Sequence, residues 1–166
     1  MSSRRTDELW SRFVLKDKRA RRNTRMEPQK VNALMKALVK QSQLFTGLEE
    51  GDLNTLVTHS QMRKLPRGKL LYRKGEKSND TFCMLISGKV DVFAKDGHII
   101  KELGIGEIVG EIGLSNPYKT RTASVITKEP VELLEWNIHH IKDKIPGVWE
   151  RLLKLAWSHM REYYEE

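Results

Sequence analysis

Glycine spacing is the feature that most constrains how this chain can fold. Eight of its eleven glycines fall between Gly68 and Gly113. Glycine suits the tight corners between strands, and a stretch with frequent corners leaves room only for short strands. Between the corners, Thr81–Ile86 is rich in β-favouring residues and Lys89–Ala94 alternates polar and apolar side chains. The pattern predicts a compact all-β sandwich or barrel.

Two further features divide this segment into strands. Asp96-Gly97 is a hairpin-turn pair that leads into His98–Ile100. Thr122–Thr127 and Val131–Trp136 are separated by a turn and are predicted to form a strand pair.

Helical periodicity precedes the β segment. Pro28 suits the first turn of a helix. Apolar residues then recur at i, i+3, i+4, i+7 and i+8, namely Val31, Leu34, Met35, Leu38 and Val39. This spacing predicts an amphipathic helix. A second short helix is predicted around Asp52–Thr58.

Helical periodicity also follows the β segment. Asn137 can cap a short helix over Ile138–Ile145, which Pro146 ends. One side of a longer last helix then carries Val148, Leu152, Leu155, His159 and Tyr163. The predicted order is therefore helix, β-core, helix.

Positive charge is concentrated at the beginning of the chain. The formal net charge is +8, and residues 1–30 carry ten Lys or Arg against four Asp or Glu. The rest is nearly neutral, which argues against a nucleic-acid-binding fold face. Within residues 1–27, an apolar cluster is formed by Leu9, Trp10, Phe13 and Val14. This basic leader is open to three interpretations: a solvated tail, a helix packed on the body or a partner, or an arm for nucleic acid or acidic lipid.

Composition excludes several classes of protein. The chain is 39% hydrophobic and 31% charged, a globular balance. It has no apolar run near the roughly 20 residues of a membrane helix and no secretion-type apolar region, so a cytoplasmic location is expected. The single cysteine, Cys83, excludes an internal disulfide and a cysteine-built metal site, and is expected to be buried and inert. For His59, His98 and His159 no carboxylate is expected at ligand spacing, and the adjacent His139 and His140 would point about 100° apart on a helix, so no metal is expected.

One segment carries the chemistry of a binding site. If Glu111–Leu114 forms a helical turn, its free N–H groups favour an anion, and Gly110 and Gly113 let a phosphate approach the backbone. Arg121 could add a bidentate charge to the same phosphate. Glu111, an acceptor when ionised, could take a hydrogen bond from a sugar hydroxyl. These groups predict a site for a phosphate attached to a ribose.

The segments Gly110–Leu114 and Arg121–Ser124 resemble the phosphate-binding cassette of cyclic-nucleotide-binding domains. That family includes the catabolite activator protein, the regulatory subunits of cAMP-dependent kinase and the cyclic-nucleotide-gated channels. The resemblance covers about residues 44–164, including the spaced glycines Gly68, Gly75, Gly88, Gly104, Gly106 and Gly110. It implies a fold of class α+β, an antiparallel β-roll or jelly-roll sandwich flanked by N-terminal helices and a C-terminal helix pair. The implied division is a leader over 1–27 and a binding domain over 28–166, with helices in 29–58, a β-core in 60–137 and C-terminal helices in 138–164.

The resemblance also implies roles for individual residues. Arg121 would pair with the exocyclic phosphate, and Glu111 would accept from the ribose 2′-hydroxyl. The cradle would be completed by backbone groups of Gly110, Ile112, Gly113 and Ala123. Thr122 could reach the base or a phosphate oxygen. The base or a second subunit would be met by Trp157, Met160 or Tyr163 of the last helix.

Two departures from the family pattern are visible. Val109 stands where the family usually has an aromatic residue, which would loosen one wall of the sugar pocket. Thr120 stands where a proline is often found before the arginine. Neither change removes a group that makes an implied polar contact.

The resulting expectation is a small regulatory sensor without catalytic residues, cofactor or metal. It would bind a cyclic nucleotide, with cAMP favoured over cGMP, and reposition its terminal helices toward a partner protein. No helix-turn-helix follows the last helix, so the expected output is an effector protein, with a homodimer through the C-terminal helix as a further option. A threonine directly after the arginine, as at Thr122 here, is found in some cGMP-selective members of the family and also in some cAMP-responsive ones.

The alternative is a ligand-independent interaction module with a vestigial pocket, acting through the basic leader. A phosphodiesterase is disfavoured because the sequence shows no metal cluster or poised acid–base pair.

Overall fold

The computed structural model describes residues 33, 35–37, 39–40, 42–115 and 117–164. The basic leader and its Trp10 and Phe13 cluster lie outside the described residues, as do Leu34 and Leu38 of the predicted first helix. Met35 and Val39 of that helix are helical and buried, as its periodicity predicted.

Short strands and helices alternate along the described residues. The strands are β1 Gln61–Leu65, β2 Leu70–Tyr72, β3 Thr81–Ser87, β4 Val90–Phe93, β5 Ile99–Leu103, β6 Ile108–Val109, β7 Ser124–Thr127 and β8 Val131–Asn137. A 3₁₀ turn covers Gln43–Phe45, and the α-helices with bounds are α1 Glu50–His59, α2 Glu111–Ser115, α3 His139–Lys142 and α4 Pro146–Tyr164. None of these helices is both long and apolar enough to cross a membrane.

The strands form two antiparallel four-stranded sheets. Their orders are β1-β8-β3-β6 and β2-β7-β4-β5. This is the β-roll with flanking helices that the sequence predicted, and the Asp96-Gly97 hairpin joins β4 to β5 as expected. The predicted pairing of the last two strands is wrong. β7 pairs with β2 and β4, whereas β8 pairs with β1 and β3, because the turn between them carries the chain from one sheet to the other.

Strand β3 is buried on both faces. Phe82, Met84 and Ile86 enter a core beneath the helices, while Cys83 and Leu85 enter a core between the sheets. A strand covered on both sides shows a continuous apolar run rather than an alternation. The two cores therefore share this strand, and Cys83 is buried as predicted.

Strand β4 departs from its predicted alternation. Val90 and Val92 pack in the inter-sheet core, but Asp91 between them is also buried, with 9% of its surface exposed. β4 lies between β7 and β5, so neighbouring strands cover both sides of Asp91.

Trp136 holds the helices to the sheet. Its indole N–H donates to the carbonyl of Leu56 in α1 at 2.7 Å, and its ring packs on Phe45 and Phe82. At the end of β8, the side chain of Asn137 accepts from the amide of His139 at 2.9 Å, but Ile138 is the N-cap residue of α3, so Asn137 lies one position before the predicted cap. The capped helix is shorter than expected, because α3 ends at Lys142.

Gly88 is required where the chain turns between β3 and β4. Its φ is +82°, and a Cβ placed there would lie 2.2 Å from the carbonyl oxygen of Pro130. Gly97 has a similar φ of +90° but nothing within 4 Å of such a Cβ, so it is a matched control.

We expect Gly97→Ala to lower the free energy of unfolding by about 1–2 kcal/mol, the cost of the left-handed backbone. Gly88→Ala should cost at least about 3 kcal/mol, because overpacking adds roughly 1–3 kcal/mol. Urea denaturation of both variants measures the difference. Equal losses would show that the Pro130 carbonyl moves aside without cost.

Candidate ligand-binding site

A single cavity brings together all eight residues that the sequence proposed for the site. It is a partly open cavity of about 40 Å³ between the inter-sheet core, α2 and the end of α4. Its lining includes Val109, Gly110, Glu111, Ile112, Gly113, Arg121, Thr122 and Ala123. Glu111–Ser115 forms a short helix, as the motif predicted.

Arg121 is buried and bonded to backbone carbonyls. Its Nη1 donates to the carbonyls of Thr81 at 2.9 Å and Gly110 at 3.0 Å. Its Nη2 donates to the carbonyl of Ser78 at 2.7 Å and to the Thr81 hydroxyl at 2.8 Å. Arg121 is only 4% exposed. One guanidinium thus joins the loop before β3 to the glycine before α2.

The loop before β3 is shaped to receive this guanidinium. Asn79 and Asp80 both have left-handed backbone angles, with φ of 53° and 57°. Two consecutive non-glycine residues in this region are uncommon and need support from the surrounding structure. Here the conformation lets the carbonyls of Ser78 and Thr81 converge on Arg121, and the Ser78 hydroxyl accepts from the Asp80 amide at 3.3 Å.

The aromatic ring of Tyr72 stacks against the guanidinium of Arg121. The carbon at the centre of the Arg121 guanidinium lies 3.7 Å from the centroid of the Tyr72 ring, a cation–π contact. Gly110 makes room for this stack. A Cβ at Gly110 would lie 2.7 Å from Arg121 Nη1 and 2.9 Å from the Tyr72 ring, and φ is +91°. Burial raises the pKa of the Tyr72 phenol, which stays protonated and can donate to Glu135 across 3.3 Å.

The charge of Arg121 has no carboxylate partner in the part of the chain that the structure describes. Its Nε–H is buried without a hydrogen-bond partner. Burying a charge without a counter-ion is costly, and buried polar atoms are nearly always satisfied. A positive group in this state, lining a cavity, is electrostatically suited to an anion.

Glu111 has a partner that the sequence analysis did not foresee. Its carboxylate is 3% exposed and contacts Nδ1 of His159 on α4. The search for carboxylates at metal-ligand spacing missed this pair, because the two residues are 48 positions apart in the chain. The available signal was the periodicity that placed His159 on the inner side of the last helix.

The end of α4 forms one wall of the cavity. Tyr163 and Tyr164 line it, and the Tyr164 hydroxyl lies 3.3 Å from both the carbonyl and the hydroxyl oxygen of Thr122. Of the three helix residues named from the family resemblance, Tyr163 reaches the cavity. Trp157 does not line it and is 62% exposed.

The hydroxyl of Tyr163 is buried and has no hydrogen-bond partner among the described residues. Burial and then the negative charges of Glu111, Glu162 and Glu107 raise the pKa of this phenol, so it stays protonated. Two residues that line the cavity therefore have buried, unpaired donors, the Tyr163 hydroxyl and the Arg121 Nε–H.

The buried thiol of Cys83 lies near the cavity but has low reactivity. Desolvation raises its pKa to about 12, so the reactive thiolate is scarce at neutral pH. Among the described residues, no group of three or more His, Cys, Asp or Glu side chains is placed to hold a metal ion.

Comparison with protein families gives one match. The family description of the cyclic nucleotide-binding domain matches residues 62–145, half of the chain.

Two curated relatives are similar over part of their length. The Pycsar effector protein XpPycTIR of Xanthomonas perforans is 29% identical over 100 residues, which are 58% of this chain and 32% of that protein. The CRP-like protein Clp of Xanthomonas campestris is 30% identical over 92 residues, or 53% of this chain and 40% of that protein. The matched part is thus well under half of each relative.

Solved structures share the fold. The catabolite activator protein of Thermus thermophilus aligns with a TM-score of 0.63 and 29% identity, over 73% of this chain and 59% of that one. The regulatory subunit of a cAMP-independent protein kinase A from Trypanosoma brucei aligns with a TM-score of 0.72 and 21% identity, over 88% of this chain and 53% of that one. At this identity the second likeness concerns the fold alone.

We expect Arg121→Ala to lower the free energy of unfolding by about 2–4 kcal/mol, because several buried carbonyls lose their donor at roughly 1–3 kcal/mol each before relaxation. Arg63→Ala is the matched control. Arg63 is 38% exposed and pairs with Glu135 at 3.2 Å, so its loss should cost no more than about 1 kcal/mol. Chemical denaturation compares them, and equal stabilities would contradict a structural role for Arg121.

Proposed function

This chain belongs to the cyclic nucleotide-binding domain family, and we propose that its cavity binds a cyclic nucleoside monophosphate, with cAMP favoured over cGMP. The observation that carries the proposal is the buried guanidinium of Arg121, which has no counter-ion among the described residues and an unpaired Nε–H beside the cavity. The phosphodiester of a cyclic nucleotide carries the single negative charge that would neutralise it.

The proposed phosphate contacts centre on Arg121. The guanidinium would supply its positive charge and the unpaired Nε–H, because its four Nη–H groups already donate within the protein. Backbone groups of Gly110, Ile112, Gly113 and Ala123 would complete the cradle. All five residues line the cavity, and two of them have no side chain to keep the ligand from the backbone.

The proposed sugar contact is Glu111. Its carboxylate has two oxygens, and Oε1 contacts His159. A carboxylate accepts several hydrogen bonds, so Glu111 could take one from a ribose 2′-hydroxyl while it keeps His159. Val109 would form the wall beside the ribose.

Preference for adenine is proposed from the rest of the lining. Val92, Leu103 and Val125 offer no side-chain hydrogen bond, and the Thr122 hydroxyl already lies close to Tyr164. Guanine has more polar groups on its edge than adenine, and each one buried without a partner is costly. This apolar side of the lining supports the proposed preference for the less polar purine.

The proposed role is that of a regulatory sensor rather than an enzyme. A curated relative is named a CRP-like protein, and structural neighbours are named as a catabolite activator protein and a kinase regulatory subunit. Ligand binding would shift the position of the terminal helices, and an effector protein would respond to that shift. We propose that this takes place in the cytoplasm.

Isothermal titration calorimetry with cAMP, cGMP, cCMP and cUMP tests the proposal. All four share the ribose and the cyclic phosphate, so the panel separates binding from base preference. We expect cAMP to bind most tightly. Arg121→Gln should make the free energy of cAMP binding less favourable by about 2–5 kcal/mol, the effect of removing one partner of a buried charge pair. Arg63→Gln should bind like the wild type.

The calorimetric variants must be folded, and a melting curve of each establishes that. No binding of any of the four nucleotides to the folded wild type would overturn the proposal and favour the interaction module. Unchanged affinity in folded Arg121→Gln would show that the phosphate is held elsewhere.

We also propose that residues 28–166 form the binding domain and that residues 1–27 stand outside it. The prediction is that deleting residues 1–26 leaves nucleotide affinity within about threefold of the wild type, a difference of under 1 kcal/mol. Titration of the shortened chain measures this. A large loss would show that the leader contributes to the pocket.

A further inference from the structure

His159 connects the carboxylate of the binding site to the last helix. Its Nδ1 contacts Oε1 of Glu111, and only 16% of its side chain is exposed. Tyr163, one turn further along α4, stacks on the imidazole with ring centroids 5.3 Å apart and an interplanar angle of 11°. The histidine thus contacts a proposed ligand group on one side and a wall of the cavity on the other.

The charges around His159 come from every element packed near it. Glu111 of α2 faces it directly, and Glu162 of α4 is a second negative neighbour. Lys101 of β5 opposes them but is itself bonded to Glu162. Glu107, in the turn before β6, shares with His159 the lining of a neighbouring groove. Two acids therefore act on the imidazole against one lysine, and a third acid, Glu107, lines the same groove.

We propose that His159 is a positioning residue that, in its protonated form, clamps the Glu111 carboxylate and holds the end of α4 over the cavity. The inference rests on the proposed function, because it assigns to Glu111 the sugar hydroxyl of the ligand. Clamping fixes one oxygen of the carboxylate and leaves the other for the ligand. It also keeps Tyr163, with its unpaired hydroxyl, at the wall of the cavity.

The electrostatic environment supports a protonated imidazole. Burial opposes its charge, but the hydrogen bond to Glu111 and the charges of Glu111 and Glu162 outweigh burial and raise the pKa of His159 above 6.5. For a group whose pKa is raised in the folded protein, the stabilisation is complete below pH 6.5 and is lost as the pH rises through the higher, folded-state value. The clamp is therefore strong in mildly acidic solution and weakens toward alkaline pH.

Nucleotide affinity should follow the same direction. When the clamp keeps the end of α4 in place, binding does not have to order this wall of the cavity. Nucleotide affinity should therefore fall as His159 loses its proton. The phosphodiester stays singly negative throughout, so the ligand does not titrate in this range. Coupling between two contacts of this kind is typically worth about fivefold or more.

The experiment has two arms, and the first needs no ligand. An NMR titration of the histidine rings of the full chain follows the protonation of His159, identified by the signal missing from His159→Gln. We expect its midpoint to lie above pH 6.5 and to fall in Glu111→Gln, which lacks the carboxylate charge. A midpoint at or below 6.5, or one unchanged in Glu111→Gln, would overturn the clamp.

The second arm measures cAMP affinity by calorimetry between pH 6.0 and pH 8.5. We expect the wild type to lose roughly fivefold or more in affinity over this range, the lower end of common coupling strengths. His159→Gln keeps an N–H donor but does not titrate, so its affinity should stay flat. His98→Gln is the control, because it removes an exposed histidine in the turn between β4 and β5.

The outcomes separate the two proposals. A wild-type pH profile that His159→Gln reproduces would overturn the role of His159 in affinity while leaving the binding function intact. An affinity that rises with pH would overturn it too, since the clamp would then compete with the ligand. No nucleotide binding at any pH would overturn the proposed function, and the NMR arm would still decide whether the clamp exists.

Discussion

The buried guanidinium of Arg121 is the interaction on which the rest of the site depends. It joins the carbonyls of Ser78 and Thr81, in one loop, to that of the distant Gly110, and it stacks on Tyr72. The left-handed residues before β3 and the glycine before α2 both serve this contact. The arginine thus has a structural role besides the one proposed for it toward a phosphate. A ligand here meets donors whose positions are already fixed, which limits the entropy lost on binding.

The two charged groups of the site are satisfied in different ways. Arg121 is bonded to neutral carbonyls and keeps its net charge, whereas Glu111 faces His159, a cation when protonated. A ligand anion therefore adds a counter-charge at Arg121, but at Glu111 it joins an existing pair. We therefore expect the arginine to contribute more of the binding energy of an anionic ligand, whereas the glutamate connects the site to α4 through His159.

Sequence reasoning succeeded where local chemistry dictates structure. Glycine corners predicted an all-β sandwich or barrel, and the family resemblance implied the β-roll with flanking helices. The eight site residues proposed from one motif line one cavity, and their role in binding stays a prediction. Sequence reasoning failed where the outcome depends on which strands meet. β7 and β8 look like a hairpin, yet they lie in different sheets. His159, Tyr72 and the Ser78 carbonyl reach the site from remote segments, and only tertiary packing brings them there. Asp91 was expected at the surface, but its strand neighbours bury it.

The short helix α2 is the element through which the cavity can act on the rest of the fold. Glu111, Ile112 and Gly113 line the cavity, while Leu114 packs in the core beneath the helices. That core also contains Val148 and Leu152 of α4. Closely packed interiors do not deform continuously, so a displacement of α2 must be met by repacking of the side chains around Leu114. A ligand that displaces α2 would therefore affect the position of α4 in two ways, through repacking of the apolar core and through the Glu111–His159 pair. Because the two routes converge on one helix, we expect the position of α4 to report occupancy of the cavity.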